Sequence, residues 1–158
     1  MLQTKAIEPG TFSLLKELMN IEVLRSFSLV GGTALALRYG HRNSVDLDLF
    51  SHIEFDSESI EDELRNVFKE DFFTEKGHQR IGLFCSIQKV KVDIIHYPFQ
   101  LVSPVICDSG IRIYSDADIA AMKVQAMLGR GKKKDFWDLF ELLQHYSLQQ
   151  FIDWHKQK

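Results

Sequence analysis

Two aspartates one residue apart, Asp46 and Asp48, stand in a run that alternates with apolar residues, Val45-Asp46-Leu47-Asp48-Leu49-Phe50. The alternation predicts a strand over 45–50. Residues i and i+2 of a strand share a face, so the two carboxylates point the same way, roughly 6.6 Å apart. Val45, Leu47 and Leu49 then point into a core. Two acids aimed at one spot repel each other unless a cation sits between them. A divalent ion with oxygen ligands, most naturally magnesium, suits that place. A half-exposed edge strand alternates in the same way with no metal at all, so the pair by itself does not decide.

The residues upstream do more. Phe27–Val30 reads as a buried strand, Gly31-Gly32 as a tight turn, Thr33–Tyr39 as a short helix and residues 40–44 as a polar loop. A diglycine between strand and helix lets the backbone turn sharply and approach a ligand closely. The N-terminus of the helix presents free N–H groups and a positive dipole end, which suit a phosphate. Gly31, Gly32 and Thr33 are therefore candidate phosphate contacts. Arg42 and Ser44, just before the acids, are placed either to touch a phosphate or to fix the loop. A phosphate cradle beside an acid pair points to phosphoryl or nucleotidyl transfer.

A two-metal site requires a third carboxylate. Asp93 interrupts the strand-like run Val90–Ile95, and aspartate is disfavoured inside strands without a reason. It is either the third acid of the site or the surface partner of Lys91, two residues earlier on the same face. Two ions about 3.5–4 Å apart activate a nucleophile and stabilise a leaving pyrophosphate. Lys123 lies among Ala120, Val124 and Met127 on one helical face. It either snorkels along that face to water or reaches inward to hold a triphosphate. Asp135 falls at a helix start, where an acid is an ordinary cap. Asp138 is three residues on and can share its side, or pair with Lys134. Arg130, Lys132, Lys133 and Lys134 form a basic turn that suits a polyanion or simply faces solvent.

Val30-Gly31-Gly32 followed by Asp46-Leu47-Asp48 resembles the nucleotidyltransferase superfamily motif. More narrowly, Gly31–Leu35 with Arg42-Asn43-Ser44-Val45-Asp46-Leu47-Asp48-Leu49-Phe50 is similar to the AbiEii toxin family of bacterial abortive-infection systems. The segment from Ala121 through Lys123 to Arg130-Gly131 and Asp135-Phe136-Trp137-Asp138 resembles that family's later motif. The resemblance runs from about residue 27 to 143, tight at 30–50 and looser after 90. It implies that Asp93 is the third acid, binding metal near the attacking hydroxyl and able to act as its base. It implies that Lys123 binds phosphates and that Asp135 supports the site. It further implies a nucleoside triphosphate such as ATP or GTP as substrate, RNA as one acceptor, and a toxin neutralised by a cognate antitoxin. Members of the family usually carry a larger helical C-terminal region than this chain.

The bulk properties are compatible with this. The chain has 158 residues, enough for one domain with a core. Its net charge is −3, so contact with nucleic acid must come from a local basic patch. Cys85 and Cys107 make neither a disulfide framework nor a zinc site, and both read as reduced core residues. No apolar run reaches the ~18 residues of a membrane span, and the N-terminus lacks the features of a signal peptide. A cytoplasmic protein that does not touch membranes is the expectation. The six histidines show no ligand spacing, and the aromatic residues scatter as core material with no platform for stacking bases.

Further along the chain, residues 11–24 and 57–69 read as amphipathic helices. Thr11 is placed to cap the first and Ser57 or Ser59 the second, with Ile60, Leu64, Val67 and Phe68 on its inner face. Strand-like runs follow at Asp71–Glu75, Arg80–Ile87 and Val90–His96. Residues 77–80 separate the first two, and Gln88-Lys89 makes a tight hairpin between the others. Short strands in 101–114 include Ile111–Tyr114. A helix starts near Ser115, with Asp118 completing an approximate capping box, and runs to about Leu128. Another opens at Asp135, with Phe136, Leu139, Phe140 and Leu143 at i, i+3, i+4, i+7. A last one spans about 148–155.

The expected fold is α/β (α+β): a nucleotidyltransferase-like mixed sheet with flanking helices, core at 25–100, and a helical C-terminal part at 115–158. The expected activity is magnesium-dependent nucleotidyl transfer. The alternatives are transfer to a small molecule, and a non-catalytic nucleotide-binding or interaction module on the same scaffold.

Overall fold

A computed structural model describes residues 1–74 and 81–158. The expected separator at 77–80, Glu75 and Arg80 lie outside the described residues. The helices are α1 (Pro9–Asn20), α2 (Gly31–Tyr39), α3 (Ser57–Phe68), α4 (Asp116–Gly129), α5 (Lys133–Leu142) and α6 (Leu148–Lys156). The strands are β1 (Ser28–Val30), β2 (Leu47–Ser51), β3 (Phe72–Thr74), β4 (Gly82–Ile87), β5 (Val90–His96), β6 (Ile106–Asp108) and β7 (Ile111–Ile113). The strands form one mixed sheet in the order β3-β4-β5-β2-β1-β7-β6. β2 runs parallel to β5 and antiparallel to β1. The α/β expectation therefore holds.

One sheet face carries the core. Leu47, Leu49, Leu83, Cys85, Ile87, Val92 and Ile94 are buried with Leu14, Leu15 and Leu18 of α1 and Ile60 and Leu64 of α3. β2 alternates as expected, with Leu47, Leu49 and Ser51 inward and Asp48 and Phe50 turned to the other face. α2 packs on β1 and β2, α4 and α5 pack on α2 and on each other, and α6 packs on α4.

Several local expectations are corrected by their surroundings. β2 starts at Leu47, not Val45. Val45 is 56% exposed, because residue 46 still belongs to the loop and spends its carbonyl on the Thr33 hydroxyl. The diglycine is the first turn of α2 itself, which begins at Gly31. Gly40 ends that helix in the left-handed region and donates its N–H to the Ala36 carbonyl, the usual glycine terminus. Pro9 opens α1 before Thr11, so Thr11 is a buried helical residue rather than a cap. Asp56 caps α3 in place of either serine, accepting from the N–H groups of Glu58 and Ser59. Val67 is exposed, and Cys107 lies exposed on β6. Gln88 and Lys89 both take positive φ, as a two-residue hairpin turn requires.

The largest departure is in α5. Its buried stripe is Asp135, Asp138, Leu139 and Leu142. Of the expected apolar stripe only Leu139 is inside; Phe136, Phe140 and Leu143 are exposed, Phe140 by 68%. Trp137 and Phe73 are exposed as well, so the aromatic residues are not all core material.

The start of α4 is locked by charge. Ser115 caps the Asp118 N–H and donates its hydroxyl back to the Asp118 carboxylate. That carboxylate also accepts from the Val102 and Ser103 N–H groups and pairs with Lys158 at 2.8 Å. Asp118 is fully buried and the Lys158 side chain 3% exposed. Removing one partner of such a pair strands the other charge, so Asp118→Ala is expected to cost about 3–5 kcal/mol in urea unfolding. Removing only the exposed cap, in Asp56→Ala, is expected to cost about 1 kcal/mol by the same measurement.

Candidate active site

The sheet register brings the acids together. Asp48 on β2 lies directly opposite Asp93 on the parallel neighbour β5. On its other side Asp48 is opposite Val30, the last residue of β1 before α2. The N-terminus of α2 therefore sits over the acid row. The glycines permit that approach. Gly31 has φ +70°, and a Cβ there would stand 2.7 Å from the Asp48 Oδ2. A Cβ at Gly32 would collide with the Arg42 guanidinium.

A cavity of about 640 Å³ opens over this row. Asp46, Asp48 and Asp93 form its floor with Gly31, Gly32 and Thr33. Six basic residues line it: Arg42, Lys91, Lys123, Arg130, Lys132 and Lys134. Phe50 and Tyr97 close one end. The Lys91 ammonium donates to the Asp93 Oδ2. The Asp93 Oδ1 is buried and, among the described residues, has no hydrogen-bond partner. Lys134 lies 3.5 Å from the Asp46 Oδ2. Burial pushes the Asp48 carboxyl above the ordinary carboxylate range, and the neighbouring charges of Asp93 and Asp46 add to this. Burial alone would lower the Lys91 ammonium, but its bond to Asp93 and the charges of Asp48 and Asp46 hold it above its usual value. Among the described residues no three His, Cys, Asp or Glu side chains are gathered closely enough to hold a metal as they stand. In this arrangement the acids lean on lysines.

A second set of charges lies beneath the basic wall. Asp138 and Asp135 are fully buried. Arg42 grips Asp138 with two bonds, Nε to Oδ1 at 2.6 Å and Nη2 to Oδ2 at 3.0 Å. His41 Nε2 is 2.8 Å from the Asp138 Oδ1. Lys123 bridges both acids, 2.9 Å from Asp135 and 2.7 Å from Asp138. Arg130 donates to Asp135 at 3.2 and 3.3 Å. Burial would raise both carboxyls, but the bonds from His41, Arg42 and Lys123 hold Asp138 far below the ordinary range. Arg130 and Lys123 likewise hold Asp135 low.

All ten sequence candidates thus fall in or against one cavity, with differing surroundings. Asp48 and Asp93 face each other; Asp46 stands just before β2. Asp93 lines the cavity beside Asp48 and also makes the Lys91 pair. Lys123 neither snorkels nor stands free; its ammonium is held by two buried acids. Asp135 is a buried partner of Lys123 and Arg130, and Asp138 pairs with Arg42 and His41 instead of Lys134. Thr33 and Ser44 bond each other at 2.8 Å and tie the loop. The residue sequence reasoning missed is His41; Lys134 was read in the basic turn, but its partner is Asp46. His41 carried no spacing signal, because its partner lies 97 positions away.

Comparison with known proteins gives the family and the fold. The family described as "Nucleotidyl transferase AbiEii toxin, Type IV TA system" matches residues 13–155. An uncharacterized protein of Aquifex aeolicus is 35% identical over 137 residues, which is 84% of this chain; the chain spans 65% of that relative's length. The Megavirus polyadenylate synthase superposes with a TM-score of 0.62 at 14% identity, over 88% of this chain and 32% of that one. The antibiotic-resistance factor ANT(2'')-Ia superposes with a TM-score of 0.61 at 15% identity, over 94% of this chain and 91% of that one. At those identities the structures share the fold.

The two acid sets are expected to act oppositely on stability. Asp138→Ala leaves buried cations unpaired and should cost about 3–5 kcal/mol at neutral pH. Because Asp138 is held low in the fold, the gap to wild type should close as pH falls below about 4. Asp48 is held high, so its charge opposes folding at neutral pH. Asp48→Asn should therefore melt above wild type at neutral pH, the gain vanishing as pH falls to about 4. Thermal melts of the three proteins across pH check both signs.

Proposed function

The chain belongs to the nucleotidyl transferase AbiEii toxin family, and from that premise we propose that it is a magnesium-dependent nucleotidyltransferase. It moves a nucleotide from a nucleoside triphosphate, ATP or GTP among them, to an acceptor hydroxyl on RNA. The observation that carries this reading is the row Val30–Asp48–Asp93, set directly under the N-terminus of a helix that opens with two glycines.

Asp46, Asp48 and Asp93 are the residues to hold the ions. The fit rests on two features. The Asp93 Oδ1 is buried without a partner, and Asp48 is crowded by like charge. A bound cation relieves both. When bound, magnesium polarises the reacting phosphate and lowers the charge on the attacking and leaving oxygens. The chain's own residues do the rest. Gly31, Gly32 and Thr33 place the N–H groups of α2 against a phosphate. Lys123, with Arg42 and the basic turn from Arg130 to Lys134, faces the negative charge that builds up on the leaving pyrophosphate. Asp135 and Asp138 hold Lys123 and Arg42 in place, so little reorganisation is needed. Asp93 takes the proton of the acceptor hydroxyl once Lys91, exposed on a long stem, has swung off its oxygen. The acceptor oxygen bonds to the α-phosphorus as the bond from that phosphorus to the bridging oxygen breaks. A toxin role and a cognate antitoxin belong to the same proposal through the family.

The RNA acceptor is drawn from the family, since five of the six basic residues around the cavity are taken by the triphosphate. The test is transfer of label from each nucleoside triphosphate, with magnesium, to total RNA. Wild type is expected to label RNA and Asp48→Ala to lose at least about 100-fold of that rate. Label on a small molecule or protein instead would move the acceptor. Triphosphate binding with no transfer to any acceptor would leave a binding module.

A further inference from the structure

The outward side of α5 has no role so far. Asp135 and Asp138 are turned inward against Lys123, which leaves Phe136, Trp137, Phe140 and Leu143 outside. Leu128 near the end of α4 is 78% exposed, and Leu148 at the start of α6 is 61% exposed. Between these three helices runs a groove of about 560 Å³. Leu139 and Phe151 are its buried floor, and Leu128, Phe140 and Leu148 are its exposed lips. Among the described residues no charged side chain lines it.

We propose that a second copy of this chain covers this face, with α5 packed antiparallel on α5 about a two-fold axis. The pairing stands apart from the transferase reading, since none of its contacts touches the acid row.

The first support is size. A whole aromatic side chain offers roughly 150–250 Å². Three rings at least half exposed, with three exposed leucines beside them, make a patch of several hundred Å². A lone soluble protein's largest apolar patch is about 300–600 Å², and a stable interface takes about 800 Å² from each partner. With its polar rim the patch approaches that size. It also carries both halves of a fit, a projecting aromatic ridge and an apolar groove beside it, so one copy can seat its ridge in the other.

The second support is charge. Residues three and four apart share a helix face, so Lys133, Trp137 and Glu141 fall on one stripe of α5. Lys133 stands over the Trp137 ring at 4.9 Å, and Glu141 is two turns further on, held only by a surface pair with His145. A two-fold axis through the middle of α5 sets Phe136 against Phe140 of the second copy. It also brings Lys133 within reach of that copy's Glu141, and symmetry forms each contact twice. A parallel arrangement would set lysine beside lysine and one positive helix end beside the other. The stripe therefore complements itself in the antiparallel sense.

The experiment is sedimentation velocity across micromolar concentrations. Wild type is expected to form a dimer. Phe140 is exposed, so Phe140→Asp should melt like wild type yet weaken the dimer at least about 30-fold. Lys133→Glu and Glu141→Lys each place like charges together twice and should each weaken it roughly 10-fold. Mixed in equal amounts, those two variants should pair with each other about as well as wild type does with itself. A wild type that stays monomeric throughout would overturn the inference, and so would a monomer that instead sediments with phosphatidylserine vesicles or seats another protein on this face. A dimer untouched by Phe140→Asp would place the contact elsewhere and overturn it too. A dimer lost in Phe140→Asp but not restored by mixing the charge variants would overturn the antiparallel arrangement.

Discussion

A carboxylate with no exposure to water, Asp138, is gripped by Arg42, His41 and Lys123, and the rest of the site hangs on that contact. Three elements meet there: the loop after α2, α4 and α5. A buried charge left alone costs several kcal/mol, so each cation must be held close to its acid. The contact therefore fixes where α5 sits, and it sets α5 with its two acids inward and its phenylalanines outward. It also explains why a lysine and an arginine can stand at the wall of a cavity without drifting to solvent.

The acid row is the opposite case. Asp46, Asp48 and Asp93 are gathered where they repel, and lysines 91 and 134 offset only part of that. One cluster contributes stability and the other gives some of it up. Together they make a cavity whose wall is charge-paired and whose acid row is crowded by like charge. Gly31 and Gly32 join the two, because the first lets Asp48 approach the helix and the second leaves room for the Arg42 guanidinium. A side chain at either would push the start of α2 off the acids or off Arg42.

Much of this was legible in the chain. The two-residue alternation around Asp46 and Asp48, the diglycine between strand and helix, and an aspartate inside Val90–Ile95 each break or obey a local rule that a short window reveals. Asp56 caps α3 in place of Ser57 or Ser59 because neighbouring residues compete for one cap, and Pro9 starts α1 two residues ahead of Thr11 with its ring already at the helical φ. α5 was misread for a deeper reason. Its apolar period and its acidic period differ by one position. Periodicity assigns the core to the phenylalanines, but pairing energy assigns it to the aspartates.

The sequence by itself determined the fold class, and it singled out the diglycine turn, the carboxylates and the lysine that line one cavity, since each of those signals lies within a few residues. Tertiary structure alone decided that Asp93 faces Asp48, that Lys123 is pinned rather than free, and that His41 shares Asp138 with Arg42. Each of these is a relation between elements far apart in the chain. Sheet register and the cost of an unpaired buried charge select them, and neither is expressed in any local run of residues.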